Sequence, residues 1–279
     1  MGHNVVFWSP VPGQTGTTTN LIAAAGLLGL EYSARLLLFG HLQSRRAAIE
    51  QAFVRSRTLI GDEAYTTDSG IDALVRLAQN RKLTSTMIRD YTVPLLKDRL
   101  DLLPGSNKAD KALIPGLKQL LPPLLDTAKR YYDLTLIDGG SGMGSAWTQA
   151  LLQNADSVVV CLNQNRFVLE RFFGSPESSP LLNGKKRLLV LGQYDRRSKS
   201  TAKNIARRCK LRSPLYPVSH NAGFMDAAQE GRALDFMFRN RNAPRDHENH
   251  DFMRNVRALA QAIAEQAALN KPFFGGKGE

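Results

Sequence analysis

The sequence predicts an α/β fold: a single doubly wound domain, with a mostly parallel sheet flanked by helices. Three observations carry this expectation. Runs of strand length such as RLLLF (35–39) and SVVVCL (157–162) are apolar without alternation, as in strands covered on both faces. Such runs alternate with helical patterns from end to end, the order of βα units. The first run leads into a Gly/Thr-rich loop and then a helix, the context that a phosphate-binding loop requires.

The elements follow in order. Residues 4–8 form a β-type run that stops at Pro10 and Pro12, and the Ala/Leu-rich segment 20–30 reads as a helix. Residues 35–39 are a strand ended by Gly40, and 44–54 and 71–79 have helical character. RLDLL (99–103) is a strand closed by Pro104-Gly105, and 113–130 is a helix that Pro122-Pro123 should kink or break. YDLTLID (132–138) is a strand ended by Gly139-Gly140. Residues 146–154 form a helix, 157–162 and 187–191 strands, 201–209 a helix, 215–218 a short strand and 252–269 a final amphipathic helix. Segments 56–70 and 105–110 are the most loop-like. One domain is expected over residues 1–270, with a Gly/Lys-rich tail over 271–279 that frays.

Composition narrows the function. The 279 residues are 43% apolar and 22% charged, which excludes a disordered chain. Two cysteines, Cys161 and Cys209, are too few for a disulfide framework and fit a reducing compartment. No stretch approaches 18 uninterrupted apolar residues, and no basic region precedes the first apolar run. A cytoplasmic protein is therefore expected. The net charge of +12 permits contact with nucleic acid or an anionic membrane without choosing between them.

The loop after the first strand reads WSPVPGQTGTTTN (8–20). Gly13 and Gly16 would let the backbone wrap an anion, with Gln14 and Thr15 between them. The helix starting near Thr17 would aim free N–H groups at it. Thr18 would offer a hydroxyl to Mg²⁺, with Thr19 behind it. The spacing matches half of the Walker pattern, but Thr17 stands where its lysine belongs. An alternative is a turn whose threonines only cap the helix. Asp138, at the carboxyl end of a buried strand, lies where α/β sheets bind ligands and can reach a Mg²⁺-bound water. It is also the candidate catalytic residue, or simply the cap of the next turn.

These motifs together resemble the ParA/MinD family of deviant Walker-type ATPases. Residues 12–20 look like its KGGVGKTT-x-N segment, YDLTLIDGGSG (132–142) like its switch strand and ADSVVV (155–160) like a later strand. NAGFMDAAQEGRALD (221–235) looks like the stretch before its terminal helix. The resemblance runs from about residue 3 to 269 and implies a homodimer with ATP or ADP and Mg²⁺ as cofactors. The departures are specific. The family's signature lysine falls at Pro12 and its loop lysine at Thr17, and the place of its water-orienting carboxylate reads FGHLQ (39–43). Phosphoryl transfer depends on positioning and on neutralised charge, so nucleotide binding with weak or no hydrolysis is expected. Arg166, Arg171 and Arg196 are candidate substitute cations. A loop lysine replaced by Ser or Thr is similar to the TadZ/CpaE branch, which implies recruitment of pilus machinery. A conjugation partner, DNA partition by an active ATPase, and a nucleotide-free scaffold remain open beside it.

Other chemistry is weaker. His247-x-x-His250 has no cysteine nearby to complete a metal site. Ser141 lacks a nucleophile-elbow pattern. Cys161 reads as core, and Cys209 as a structural thiol in a basic helix. The charge, however, is uneven: residues 185–257 hold 17 Lys and Arg against 7 Asp and Glu, a surplus of ten. The candidate polyanion-binding residues are Lys185, Lys186, Arg187, Arg196, Arg197, Lys199, Arg207 and Arg208. Nonspecific DNA, an anionic membrane surface and an ordinary solvated face all fit them. Association at the membrane or nucleoid would follow from the first two.

Overall fold

The computed structural model describes residues 2–40, 48–54, 70–106, 113–174 and 179–269. The expected loops 56–69 and 107–110, residues 41–47 and the tail after 269 lie outside the described residues.

Eight strands form one sheet: β1 (His3–Ser9), β2 (Leu36–Phe39), β3 (Val93–Leu96), β4 (Leu100–Leu103), β5 (Leu134–Ser141), β6 (Ser157–Leu162), β7 (Lys186–Tyr194) and β8 (Leu215–Ser219). Their order is β3-β4-β2-β5-β1-β6-β7-β8. Every pairing is parallel except β3 with β4. The expected strands are all present. The edge strand β3 was not legible, because VPLL is short, half-exposed and carries Pro94, which a sheet tolerates at an edge.

The helices are α1 (Thr17–Glu31), α2 (Ala48–Phe53), α3 (Gly70–Gln79), α4 (Met87–Asp90), α5 (Leu113–Tyr131), α6 (Ala146–Asn154), α7 (Arg166–Gly174), α8 (Ser179–Leu182), α9 (Ala202–Arg208), α10 (Ala222–Gln229), α11 (Ala233–Asn240) and α12 (His250–Gln266). No described helix is long and apolar enough to cross a membrane.

Alternate residues of each central strand feed two separate cores. Val5, Phe7, Leu36, Leu38, Val159 and Cys161 pack with α1 and α12 on one face. Val6, Trp8, Leu37, Phe39, Val158 and Val160 pack with α5 and α6 on the other. Both faces are covered, so the strand runs show no polar alternation. Helix α1 is buried from Asn20 to Leu30, which explains its near-uniform apolar sequence.

The expected break at Pro122-Pro123 does not occur: α5 runs through both prolines. The carbonyls that lose their helical donors belong to Lys118 and Gln119, both exposed, so water can serve them. Downstream, the Thr127 hydroxyl donates to the Pro123 carbonyl at 2.6 Å.

One buried carboxyl on the second face should make stability pH-dependent. Asp101 on β4 is 5% exposed. Its Oδ2 accepts from the Tyr132 hydroxyl at 2.9 Å, while Oδ1 has no partner. Burial raises its pKa above the ordinary carboxylate value. A raised folded pKa contributes stability below the unfolded pKa that is lost as pH rises through the folded one. Asp101→Asn removes that titration. Its melting temperature relative to wild type should therefore climb between pH 4 and pH 7. A pH-independent difference between the two melting curves would contradict this assignment.

Candidate functional site

The carboxyl ends of β1, β5, β6, β7 and β8 meet on one edge of the sheet, because these strands are parallel. This is the edge at which open α/β sheets bind ligands. The loop between β1 and α1 occupies its centre.

Gly13 and Gly16 both adopt left-handed backbone, with φ 74° and 63°, conformations that glycine reaches without steric cost. Gly16 is the N-cap of α1, and no side chain caps that terminus. The threonines therefore do not serve the first-turn amides, against the capping alternative. The first turn carries no acidic residue, so its free N–H groups and the positive end of the helix dipole suit an anion.

Thr15 is buried, and its hydroxyl lies 3.0 Å from that of Thr17. The side chain of the buried Asn20 donates to the Thr15 carbonyl at 3.3 Å and approaches Cys161 Sγ at 3.7 Å. Asn163, after β6, donates to the Gln14 carbonyl at 3.0 Å. Trp8 donates its indole N–H to the Gly142 carbonyl at 2.8 Å, tying β1 to the turn after β5.

Asp138 is 5% exposed. Its Oδ2 accepts from the Thr18 hydroxyl at 2.8 Å, and its Oδ1 accepts from the Gly140 N–H at 2.9 Å. It thus caps the turn after β5 and also holds Thr18. With its O–H donated in a hydrogen bond to Asp138, the Thr18 oxygen keeps lone pairs to offer a cation. Backbone amides, threonine hydroxyls and one fixed carboxylate form a donor set suited to phosphate and Mg²⁺. No lysine stands at position 12 or 17. Thr19 turns the other way, its hydroxyl against Met225 Sδ at 3.8 Å.

Four contributors to this edge were not singled out from the sequence. Gly192, on β7, leaves no room for a side chain: a Cβ there would lie 2.0 Å from the Thr15 carbonyl oxygen and 2.6 Å from Asn20 Nδ2. The Gln193 side chain lies over Gly16, and His220 holds that amide. The fourth is Glu50. This buried carboxylate of α2 accepts from the Gly105 N–H at 3.1 Å, and its Oε1 comes within 3.3 Å of where a Cβ on Gly40 would sit. A carboxylate therefore approaches the end of β2 from α2, although the strand's own end at Phe39-Gly40 supplies none. Its only sequence signal was one acid in a short helical run. Beside β7 and β8, a cleft of about 400 Å³ is lined by Tyr194, Arg196, Arg197, His220, Glu248 and Asp251 among others.

The basic stretch does not form one surface. β7 is nine residues long, about 30 Å at the usual strand rise. Lys185, Lys186 and Arg187 lie at its start, on the edge opposite the loop. Arg196, Arg197 and Lys199 follow its end, on the loop's edge. Lys185 donates to the Gln153 and Ala155 carbonyls at 3.0 and 2.7 Å, closing the end of α6. Arg196 pairs with Asp251, and Arg197 with Asp195 at 3.0 Å. Lys199, Lys203, Arg207, Arg208, Lys210 and Arg212 are exposed, and no carboxylate among the described residues pairs with them. Of the other substitute cations, Arg166 pairs with Glu170 at 2.5 Å and Arg171 is exposed on α7.

Cys161, His247 and His250 have local environments of their own. Burial pushes the Cys161 thiol up to about 12, so it stays protonated and unreactive. His247 Nδ1 accepts from the Asn249 N–H, and His250 Nδ1 donates to the Ala243 carbonyl. Among the described residues no group of three or more His, Cys, Asp or Glu gathers to hold a metal.

The sheet order and the loop placement define a doubly wound α/β protein with the fold of the ParA/MinD ATPases. Three solved structures show the likeness over nearly the full length. A ParA family ATPase from Chlorobium tepidum TLS superposes with a TM-score of 0.69 at 14% identity, covering 94% of this chain and 98% of its own. The septum site-determining protein MinD from Pyrococcus horikoshii OT3, solved with Mg-ADP, gives 0.68 at 15% identity, over 95% and 99%. The MinD cell division protein of Aquifex aeolicus gives 0.60 at 14% identity, over 93% and 98%. No protein-family model matches the chain, and no curated protein matches it in sequence.

Proposed function

We propose that this chain binds ATP or ADP with Mg²⁺ at the loop between β1 and α1, and uses the bound state to position or recruit a partner, with weak or no hydrolysis. The observation that carries the reading is the Thr18–Asp138 bond beside an uncapped helix start, in a loop without lysine. The glycine-shaped backbone from Gly13 to Thr17 would hold the phosphates, and Thr18 and Asp138 the cation. Bound Mg²⁺ would supply the charge neutralisation that the lysines provide elsewhere. Hydrolysis also needs cations on the transferred group, and positions 12 and 17 carry Pro and Thr. A homodimer, one domain over residues 1–270 and a recruited pilus or conjugation component belong to the same reading through the TadZ/CpaE-like loop.

Calorimetric titration with ATP–Mg²⁺ tests it, together with phosphate release over hours. Measurable heat with negligible release is expected. Absence of heat at high protein concentration would leave a scaffold without nucleotide. Turnover that is lost on Asp138→Ala would make the chain an active ATPase with an unusual loop.

The exposed cations from Lys199 to Arg212 favour a second role, holding DNA without sequence preference and so placing the protein at the nucleoid. Binding to random duplex DNA should then fall steeply with salt and drop when Arg207 and Arg208 become Glu. A flat salt response would reduce this face to ordinary solvated charge, and binding to anionic vesicles instead would assign it to a membrane.

A further inference from the structure

Gln193, at the carboxyl end of β7, holds a left-handed backbone with φ 53°, uncommon for a residue with a side chain. The β7–β8 register shifts between Leu191 and Tyr194 at the same place. This irregularity brings the Gln193 side chain back over the loop, where Nε2 stands 3.1 Å from the point a Cβ on Gly16 would occupy. The other end of the amide is held: His220 Nδ1 lies 2.7 Å from Oε1. The ring donates and the amide oxygen accepts, which leaves the NH₂ group facing the first turn of α1. That turn has no side-chain cap and no lysine.

We propose that Gln193 contacts the bound nucleotide, donating from Nε2 to a phosphate oxygen, and that His220 is its positioning residue. The inference rests on the nucleotide-binding reading above and goes beyond it by naming a neutral donor from β7 at a loop without cations.

The pair also carries a pH bias. An imidazolium can only donate. Protonated His220 therefore admits only the amide orientation that presents NH₂ to the loop. Neutral imidazole has two tautomers, and the one that accepts at Nδ1 admits the flipped amide. That flip would turn Oε1, an acceptor, toward an anion and weaken binding. The charged groups facing His220 come from the turn after β7 (Asp195, Arg196, Arg197), from Asp251 at the start of α12 and from Glu248 just before it. Arg196 is paired with Asp251 and Arg197 with Asp195. Tyr194 also lines this cleft. Histidine is the side-chain type that serves proteins generally as a proton switch near neutral pH.

Titration of the full chain with fluorescently labelled ADP and Mg²⁺, from pH 5.5 to 8.0, tests the proposal. Gln193→Leu should weaken binding about tenfold at pH 5.5, the scale of a lost hydrogen bond to a charged group, and by less at pH 8.0. Wild type should bind about two- to fivefold more tightly at pH 5.5 than at pH 8.0, as the competent amide orientation becomes the only one. His220→Ala should lose that ratio and match the residual pH response of Gln193→Leu, which contains only the ligand's own titration. If leucine at a left-handed position does not fold, Gln193→Asn reads the same loss: asparagine tolerates that backbone and holds its amide one carbon short. Binding by wild type with Gln193→Leu and Gln193→Asn within twofold of it would overturn the pair alone. So would an unchanged pH ratio in His220→Ala. No binding by wild type would overturn the nucleotide reading and this inference together.

Discussion

Replacing Asp138 by Asn is expected to cost about 10–100-fold in Mg²⁺–nucleotide affinity, the scale of losing a group that orients a metal ligand. The geometry gives the reason. The Asp138 carboxylate accepts the hydrogen bond that the Thr18 hydroxyl donates, which leaves the lone pairs of the hydroxyl oxygen free for a cation. Asparagine turned with its NH₂ toward Thr18 would instead donate to that oxygen and occupy a lone pair. Turned the other way, it would face the Gly140 N–H with a second donor where Oδ1 now accepts. In either orientation one of two buried contacts is lost. Fluorescent-nucleotide titrations with Mg²⁺ and with EDTA check this. Wild type should show a large Mg²⁺ dependence that Asp138→Asn and Thr18→Val both flatten, with metal-free binding little changed. Equal Mg²⁺ dependence in wild type and Asp138→Asn would remove Asp138 from the cation site.

Gly192→Val should be the most damaging single change away from the loop itself. A Cβ at 192 would lie 2.0 Å from the Thr15 carbonyl oxygen and 2.6 Å from Asn20 Nδ2. Neither is the free end of a flexible side chain, since Asn20 is buried and bonded to that same carbonyl. Overpacking of this kind costs about 1–3 kcal/mol. The relief available is to push the loop away from β7, which moves the backbone from Gln14 to Gly16 and should abolish nucleotide binding. Chemical denaturation and nucleotide titration read the two effects separately. Gly174→Ala is the matched control, because nothing lies within 4 Å of a Cβ there, and it should leave both unchanged. Wild-type binding in Gly192→Val would show that the loop does not depend on β7 for its shape.

The elements that could be read from the sequence are those whose burial is uniform. Continuous apolar runs gave β2 and β6, because both faces of these strands are covered. The elements that could not be read have mixed environments. In α7, Val168, Leu169 and Phe172 are buried while Phe167 is 59% exposed and Phe173 is also exposed, so apolar residues on both sides blur the helical stripe. Helices α10 and α11 were visible only as a motif stretch. They are eight residues each and joined by a single turn. At Pro122-Pro123 a local rule allowed a kink or a break, and the break does not occur. The cost of an interior proline depends on whether the orphaned carbonyls meet water, and exposure is a tertiary property.

The same division runs through the site. By itself the sequence determined the strand–loop–helix order, the left-handed glycines' positions, the missing lysines and the aspartate at a strand end. All of these are local, since they depend on backbone freedom, side-chain chemistry and periodicity over a few residues. Tertiary structure alone decided which of them meet. Thr18 and Asp138 are 120 residues apart and touch because β1 and β5 are neighbours in register. Arg187 and Arg196 are nine residues apart in sequence, yet β7 carries them to opposite edges of the sheet. Gln193 lies over the loop where the pairing of β7 with β8 shifts. Strand order and register are set by packing over the whole domain, so the contacts that make a site from these residues are not written in any one segment.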